Sequence, residues 1–184
     1  MVKFLSATSY NRIRNRNFLN MALVRMLNMS RWDHDCIKKG DLYHGDAISD
    51  LKCNGNTLSV WIANNSTEIQ EAVLALALGR DAVQKMTIIL LDEAILKENY
   101  NIKISNTPGN VPIVSLQPRH RDLSDIDFWN LGFVAEHIGK LLNNSSNYQT
   151  YSKNQVEKII LDAIRNQLLT PNMLNSKLKE NLGF

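Results

Sequence analysis

Apolar residues come in short blocks separated by polar turns, and their spacing switches between strand-like and helix-like along the chain. Lys3-Phe4-Leu5-Ser6 reads as a short opening strand. Over Asn15 to Met29, Phe18, Leu19, Ala22, Leu23, Met26 and Leu27 recur at three and four, the spacing of an amphipathic helix. Arg31 to Cys36 reads as a second short strand, and Ala47 to Lys52 as a short helix or strand. Thr57 to Ala63 has the β-branched and aromatic content of a strand. Glu68 to Leu78 follows as a helix with Ser66 or Thr67 at its start, Thr67 and Gln70 fitting a capping box and Gly79 its end. Met86 to Leu91 is continuously apolar, like a strand buried on both faces. Val111 to Leu116 reads as another strand, placed at a sheet edge by Pro112. The next helix starts near Asp122 or Ser124 and presents Phe128, Leu131, Val134, Ile138 and Leu141 to the core.

Strands alternating with helices predict right-handed crossovers and a parallel sheet, so the fold class expected is α/β. Asn143 to Asn147 is a polar linker. Beyond it, Ser152 with Gln155 fits a second capping box, and Thr170-Pro171 starts a last helix that Gly183 ends. The expected organisation is an α/β domain over 1–143 and a two-helix C-terminal appendage over 148–184. Trp32 and Trp61 are expected in the core, and His137 at its edge.

Hydrophobic residues make up 44% of the 184, enough for a sizeable core. No apolar run approaches the roughly 18 residues that cross a bilayer, and Met1 to Tyr10 lacks the pattern of a signal peptide. Cys36 and Cys53 form no CxxC pair, which argues against a zinc knuckle or disulfide scaffold and for a reducing cytoplasm. The net charge of +3 is uneven. Residues 1–40 carry eight Lys or Arg against two Asp, 8 − 2 = +6, leaving 13 − 16 = −3 for the rest. A basic end suits a phosphate-bearing ligand or an acidic partner. Without interleaved aromatics for base stacking, nucleic acid is not the expected partner.

In an open parallel sheet, ligands bind at the carboxyl ends of the strands. That edge would collect Ala7-Thr8, the loop Ile37 to Asp41, Asn64-Asn65-Ser66, Asp92-Glu93 and Arg119-His120. Glu68 and Glu71, in the first turns of the following helix, would lie beside it. Arg119, by position, is a candidate phosphate contact, as is the segment Arg12-Arg14-Arg16.

Order and spacing together resemble the Toll/interleukin-1 receptor (TIR) domain over about residues 1–143. The residues that carry the likeness are Phe4-Leu5-Ser6, Gly40-Asp41, Ser59 to Ser66 followed by Glu71, and the Phe128-Trp129 pair before Leu131. The resemblance implies a flavodoxin-like parallel sheet flanked by helices. It also implies cleavage of NAD, the substrate, between ribose and nicotinamide, as in bacterial defence or signalling systems, by hydrolysis or cyclisation. Glu71 would be the catalytic carboxylate, stabilising the positive charge that builds on the ribose. Ser6, Gly40 and Asp41 would line the nucleotide pocket. The expected partners are NAD or a related nucleotide and a protein, in a homo-oligomer or a complex; neither a membrane nor a resident metal is expected.

Two alternatives stand beside the enzyme. Thr67 occupies the position where NAD-cleaving members often carry Trp, four before Glu71, which favours a non-catalytic interaction module: an adaptor, inhibitor or immunity-type protein. Asp33, His34, Asp35, His44 and Asp46 have the donor types of a metal site, which would suit a metal-dependent nuclease, although alternation on a strand would point His34 away from both Asp residues.

Overall fold

A computed structural model describes residues 21–32 and 45–184. Six strands form one sheet: β1 (Ala22–Leu27), β2 (Leu58–Ala63), β3 (Met86–Asp92), β4 (Lys103–Asn106), β5 (His120–Ser124) and β6 (Tyr148–Tyr151). Their order is β4-β5-β2-β1-β3-β6, and every neighbouring pair is antiparallel. The protein is therefore α/β, but the expected flavodoxin-like parallel sheet is replaced by an antiparallel one.

The physical reason lies in which strands interleave. β2 and β3 both run antiparallel to β1, so they are parallel to each other, and α1 (Gly45–Asp50) is followed by α2 (Ser66–Leu78), which carries the chain between them. The β2-α2-β3 crossover is thus real, with β1 inserted between its two strands. β1 falls where an amphipathic helix was expected. Its residues Ala22, Leu23, Val24 and Leu27 are all buried, and a strand covered on both faces has no polar side to betray its period. The expected edge strand at Val111 to Leu116 is instead a loop and a 3-10 turn, Val114–Arg119. Val111, Ile113 and Leu116 are buried against the sheet, so the block is apolar without being extended.

Helices cover both faces. Side chains that alternate along the strands separate into two cores. Val24, Trp61, Ala63, Ile88 and Leu90 meet α2, and with it α5 (Lys153–Arg165) and α6 (Ser176–Asn181). Leu23, Leu27, Leu58, Val60, Ile89 and Leu91 meet α1 and α4 (Phe128–Leu142), beside α3 (Glu93–Tyr100). Residues 148–184, expected as an appendage, supply β6 and share the first core through Val156, Ile160, Ala163, Leu169, Leu174 and Leu178. The Ser152–Gln155 capping box is present. At α2 the cap is Asn65, one residue before the expected Ser66 and two before Thr67, and its side chain accepts from the Glu68 N–H. No helix among the described residues is long and apolar enough to cross a membrane.

His137 of α4 is buried against β3, where its Nε2 accepts the Asp92 N–H at 3.4 Å. Burial, followed by nearby Lys140, lowers its pKa below the ordinary 6.5 against the opposing pull of Asp92 and Glu136. Above about pH 6.5 the imidazole is neutral whether folded or unfolded; below it only the unfolded chain takes up the proton, so stability falls. Thermal unfolding at about pH 7 and about pH 5 should show a loss of stability on acidification that shrinks in His137→Gln. An equal loss in both proteins would assign the acid sensitivity elsewhere.

Candidate functional site

The carboxyl end of β2 opens into Asn64-Asn65 and then α2. Asn65 caps the helix through the Glu68 N–H at 3.0 Å. Glu68 reaches back, its Oε2 accepting from the Asn64 backbone N–H at 2.7 Å and from Asn64 Nδ2 at 2.9 Å. Its carboxylate therefore closes the turn and neutralises the positive end of the helix. Glu71 lies three residues on, on the same side of α2. Arg119, at the end of the 114–119 turn, places Nη1 2.7 Å from Glu71 Oε2 and 3.5 Å from Glu68 Oε2. The Arg119–Glu71 contact is ionic and lacks the alignment of a hydrogen bond.

Asn65, Glu71 and Arg119 thus lie together at the carboxyl end of β2, with Glu68 among them. Their arrangement is self-neutralising: Arg119 engages the carboxylate that was to stabilise a developing cation. A crevice bordered by Glu71, Leu74, Ile159 and Leu168 holds only about 50 Å³. Pockets that enclose a ligand of nucleotide size run from roughly 300 Å³ upward. Ser6, Arg12, Gly40 and Asp41 lie outside the described residues, as do Asp33, His34, Asp35 and His44. Asp46 stands in the first turn of α1, and among the described residues no three His, Cys, Asp or Glu side chains gather as metal ligands.

Beside this edge, His120 belongs to β5 and is not the solvated loop residue its basic surroundings suggest. Its ring packs edge-on against Trp61, with centroids 5.1 Å apart, and Nδ1 lies 2.9 Å from the Thr107 carbonyl. Asp122 accepts from Ser59 Oγ at 3.1 Å and from Thr107 Oγ1 at 2.8 Å, while His120 Nε2 stands 4.0 Å away. Ser59 addresses the carboxylate and not the imidazole, so the cluster is not a serine nucleophile with its base. It pins β2, β5 and the 107–119 loop together. Gly109 lets that loop close: a Cβ there would fall 2.6 Å from Trp61 Cη2.

A different surface stands out on α4. Phe128 and Trp129 open the helix and are 81% and 72% exposed, their rings 6.0 Å apart and edge to face. Phe128 was expected in the core. Instead the helix buries Val134, Ala135, His137 and Ile138, which leaves its first turn outside the packed layer. Phe133, 39% exposed, stacks on Tyr100 and extends the aromatic surface. Asp125 and Asp127 flank it, the latter capping α4 through the Asn130 N–H at 2.7 Å.

No protein-family model matches this chain, and neither a curated protein nor a solved structure matches it.

Proposed function

We propose that this protein is a non-catalytic interaction module that docks a protein partner through Phe128 and Trp129. The observation that carries the reading is their exposure. Two adjacent aromatic side chains left in water are costly, and buried aromatic anchors supply much of the affinity of protein interfaces. A second copy of the chain is the first occupant to test, because two-fold homodimers are the commonest assemblies of soluble proteins. Sedimentation of the wild type and of Phe128→Ser/Trp129→Ser tests it. Concentration-dependent association that the double variant loses, with its unfolding temperature unchanged, would assign the surface to a homodimer. If the wild type stays monomeric, photo-crosslinking from position 129 in the source cells should trap a different protein. A monomer with no cross-link at this position would sink the reading.

A second reading, cleavage of NAD by a TIR-like enzyme, is favoured by one observation: Asn65, Glu68, Glu71 and Arg119 meet at a single sheet edge. In that reading a phosphate of the substrate would draw Arg119 away and free the Glu71 carboxylate. The antiparallel sheet and the small crevice weigh against it. Nicotinamide release from NAD that Glu71→Gln abolishes and Glu68→Gln spares would move the assignment to the enzyme.

A further inference from the structure

We propose that a basic cleft at the opposite edge of the sheet binds a small oligophosphate, a di- or triphosphate or its ester. The cleft forms where β1 ends and β3 begins, with Leu27 paired to Thr87. The Glu68–Glu71–Arg119 cluster lies at the other end of these strands, about 17 Å away at ~3.3 Å per residue along β1. The space measures about 550 Å³, within the range of nucleotide-sized pockets.

Arg31, Lys52, Arg80 and Lys85 converge on it from the turn after β1, the end of α1 and the segment between α2 and β3. Among the described residues that line it Asp50 is the one acid, so these residues carry 4 − 1 = +3. That carboxylate is already occupied: its Oδ2 accepts from the Asn28 N–H at 2.9 Å and from Trp32 Nε1 at 3.0 Å. None of the four cations has an ion-pair partner among the described residues, whereas Lys97, Lys103, Arg119, Lys140, Arg165 and Lys177 each meet a carboxylate. The carboxyl end of α2, just before Arg80, contributes about half a negative charge, too little to reverse the balance.

The shape and lining select the class of anion. Four cations around one concavity suit several phosphate groups at short spacing, bound by charge-assisted hydrogen bonds. Asn28, Ser30, Ser49, Gln84 and Thr87 add neutral polar groups. Among the described residues no aromatic ring lines the cleft to stack a base, so the phosphates carry the recognition and the identity of any nucleoside is secondary.

Titration calorimetry with inorganic tripolyphosphate, and separately with ATP, tests the site. The variant is Lys52→Ala/Lys85→Ala, since both residues are exposed and neither ammonium meets a carboxylate among the described residues. The wild type should bind one tripolyphosphate, more weakly as salt rises. The double variant should bind at least about tenfold more weakly with an unchanged unfolding temperature. Equal affinities for ATP and tripolyphosphate would mark a bare oligophosphate site; tighter ATP would add a nucleoside contact. No binding at millimolar ligand, or the same affinity in the double variant, overturns the proposal. So does tighter binding of an oligonucleotide that displaces tripolyphosphate, because the cations would then serve an extended nucleic-acid surface.

Discussion

Removal of residues 152–184 should abolish cooperative unfolding. These residues carry α5 and α6, and Val156, Ile160, Leu169, Leu174 and Leu178 are each buried against α2 and the sheet. Burying an aliphatic side chain of this size contributes about 1.5–3 kcal/mol, so the five together contribute roughly 7–15 kcal/mol. That equals or exceeds the ~5–15 kcal/mol by which a domain is stable at all. Polar ties point the same way: Asn181 Oδ1 accepts the Val83 N–H at 2.9 Å, and Asn175 Nδ2 donates to the Arg80 carbonyl at 2.9 Å. Their loss removes two direct ties between the tail and the α2–β3 connection. Scanning calorimetry of the fragment ending at Tyr151, which keeps β6, is the measurement. A single sharp transition a few degrees below the wild type's would mean the tail is an appendage after all.

That outcome bears on how much of the fold the sequence disclosed. β2, α2 and β3 are legible because their blocks are long, apolar and separated by an Asn or Gly turn. The crossover they imply is present. What periodicity cannot supply is the neighbour of a strand. β1 is buried on both faces and mimics a helix at three-and-four spacing. β5 begins His-Arg-Asp and looks like a loop; β6, Tyr148–Tyr151, is four residues long and partly polar, following the Asn-rich linker. These strands, unread from the sequence as β4 also is, run opposite to β2, β3 and β4 and turn an expected parallel sheet into an antiparallel one.

The site was legible in the same partial way. A Glu in the opening turns of a helix after a strand is visible in sequence, and Glu68 and Glu71 lie where that rule puts them. Arg119 falls on the same edge although the strand expected before it does not exist, because the loop packed through Val111, Ile113 and Leu116 delivers it there. The basic cleft gave only a diffuse signal, the positive balance of residues 1–40. Arg31 comes from that stretch, while Lys52, Arg80 and Lys85 come from segments far along the chain that β1 and β3 bring to one end of the sheet.

Trp32→Ala should cost about 3–5 kcal/mol, the range for deleting a large buried aromatic side chain. Trp32 is 2% exposed and belongs to the core on the α1 and α4 face with Leu27, Ala47 and Leu51. Its indole also donates to Asp50, which at the same time holds the Asn28 N–H, so one side chain fastens α1 to the end of β1. Trp32→Phe separates the two contributions. It keeps most of the apolar area but removes the hydrogen bond to a carboxylate, worth about 1.5–3 kcal/mol, and so should fall between the wild type and the Ala variant. Urea unfolding of the three proteins gives the order. Tripolyphosphate binding should follow it, because Asn28, Arg31, Ser49 and Asp50 all line the cleft that this tryptophan holds in shape. A loss of stability with unchanged binding would show that the cations gather without the tryptophan's support. A Trp32→Ala cost under about 1 kcal/mol would contradict its burial and, with it, the packing of α1 on the sheet.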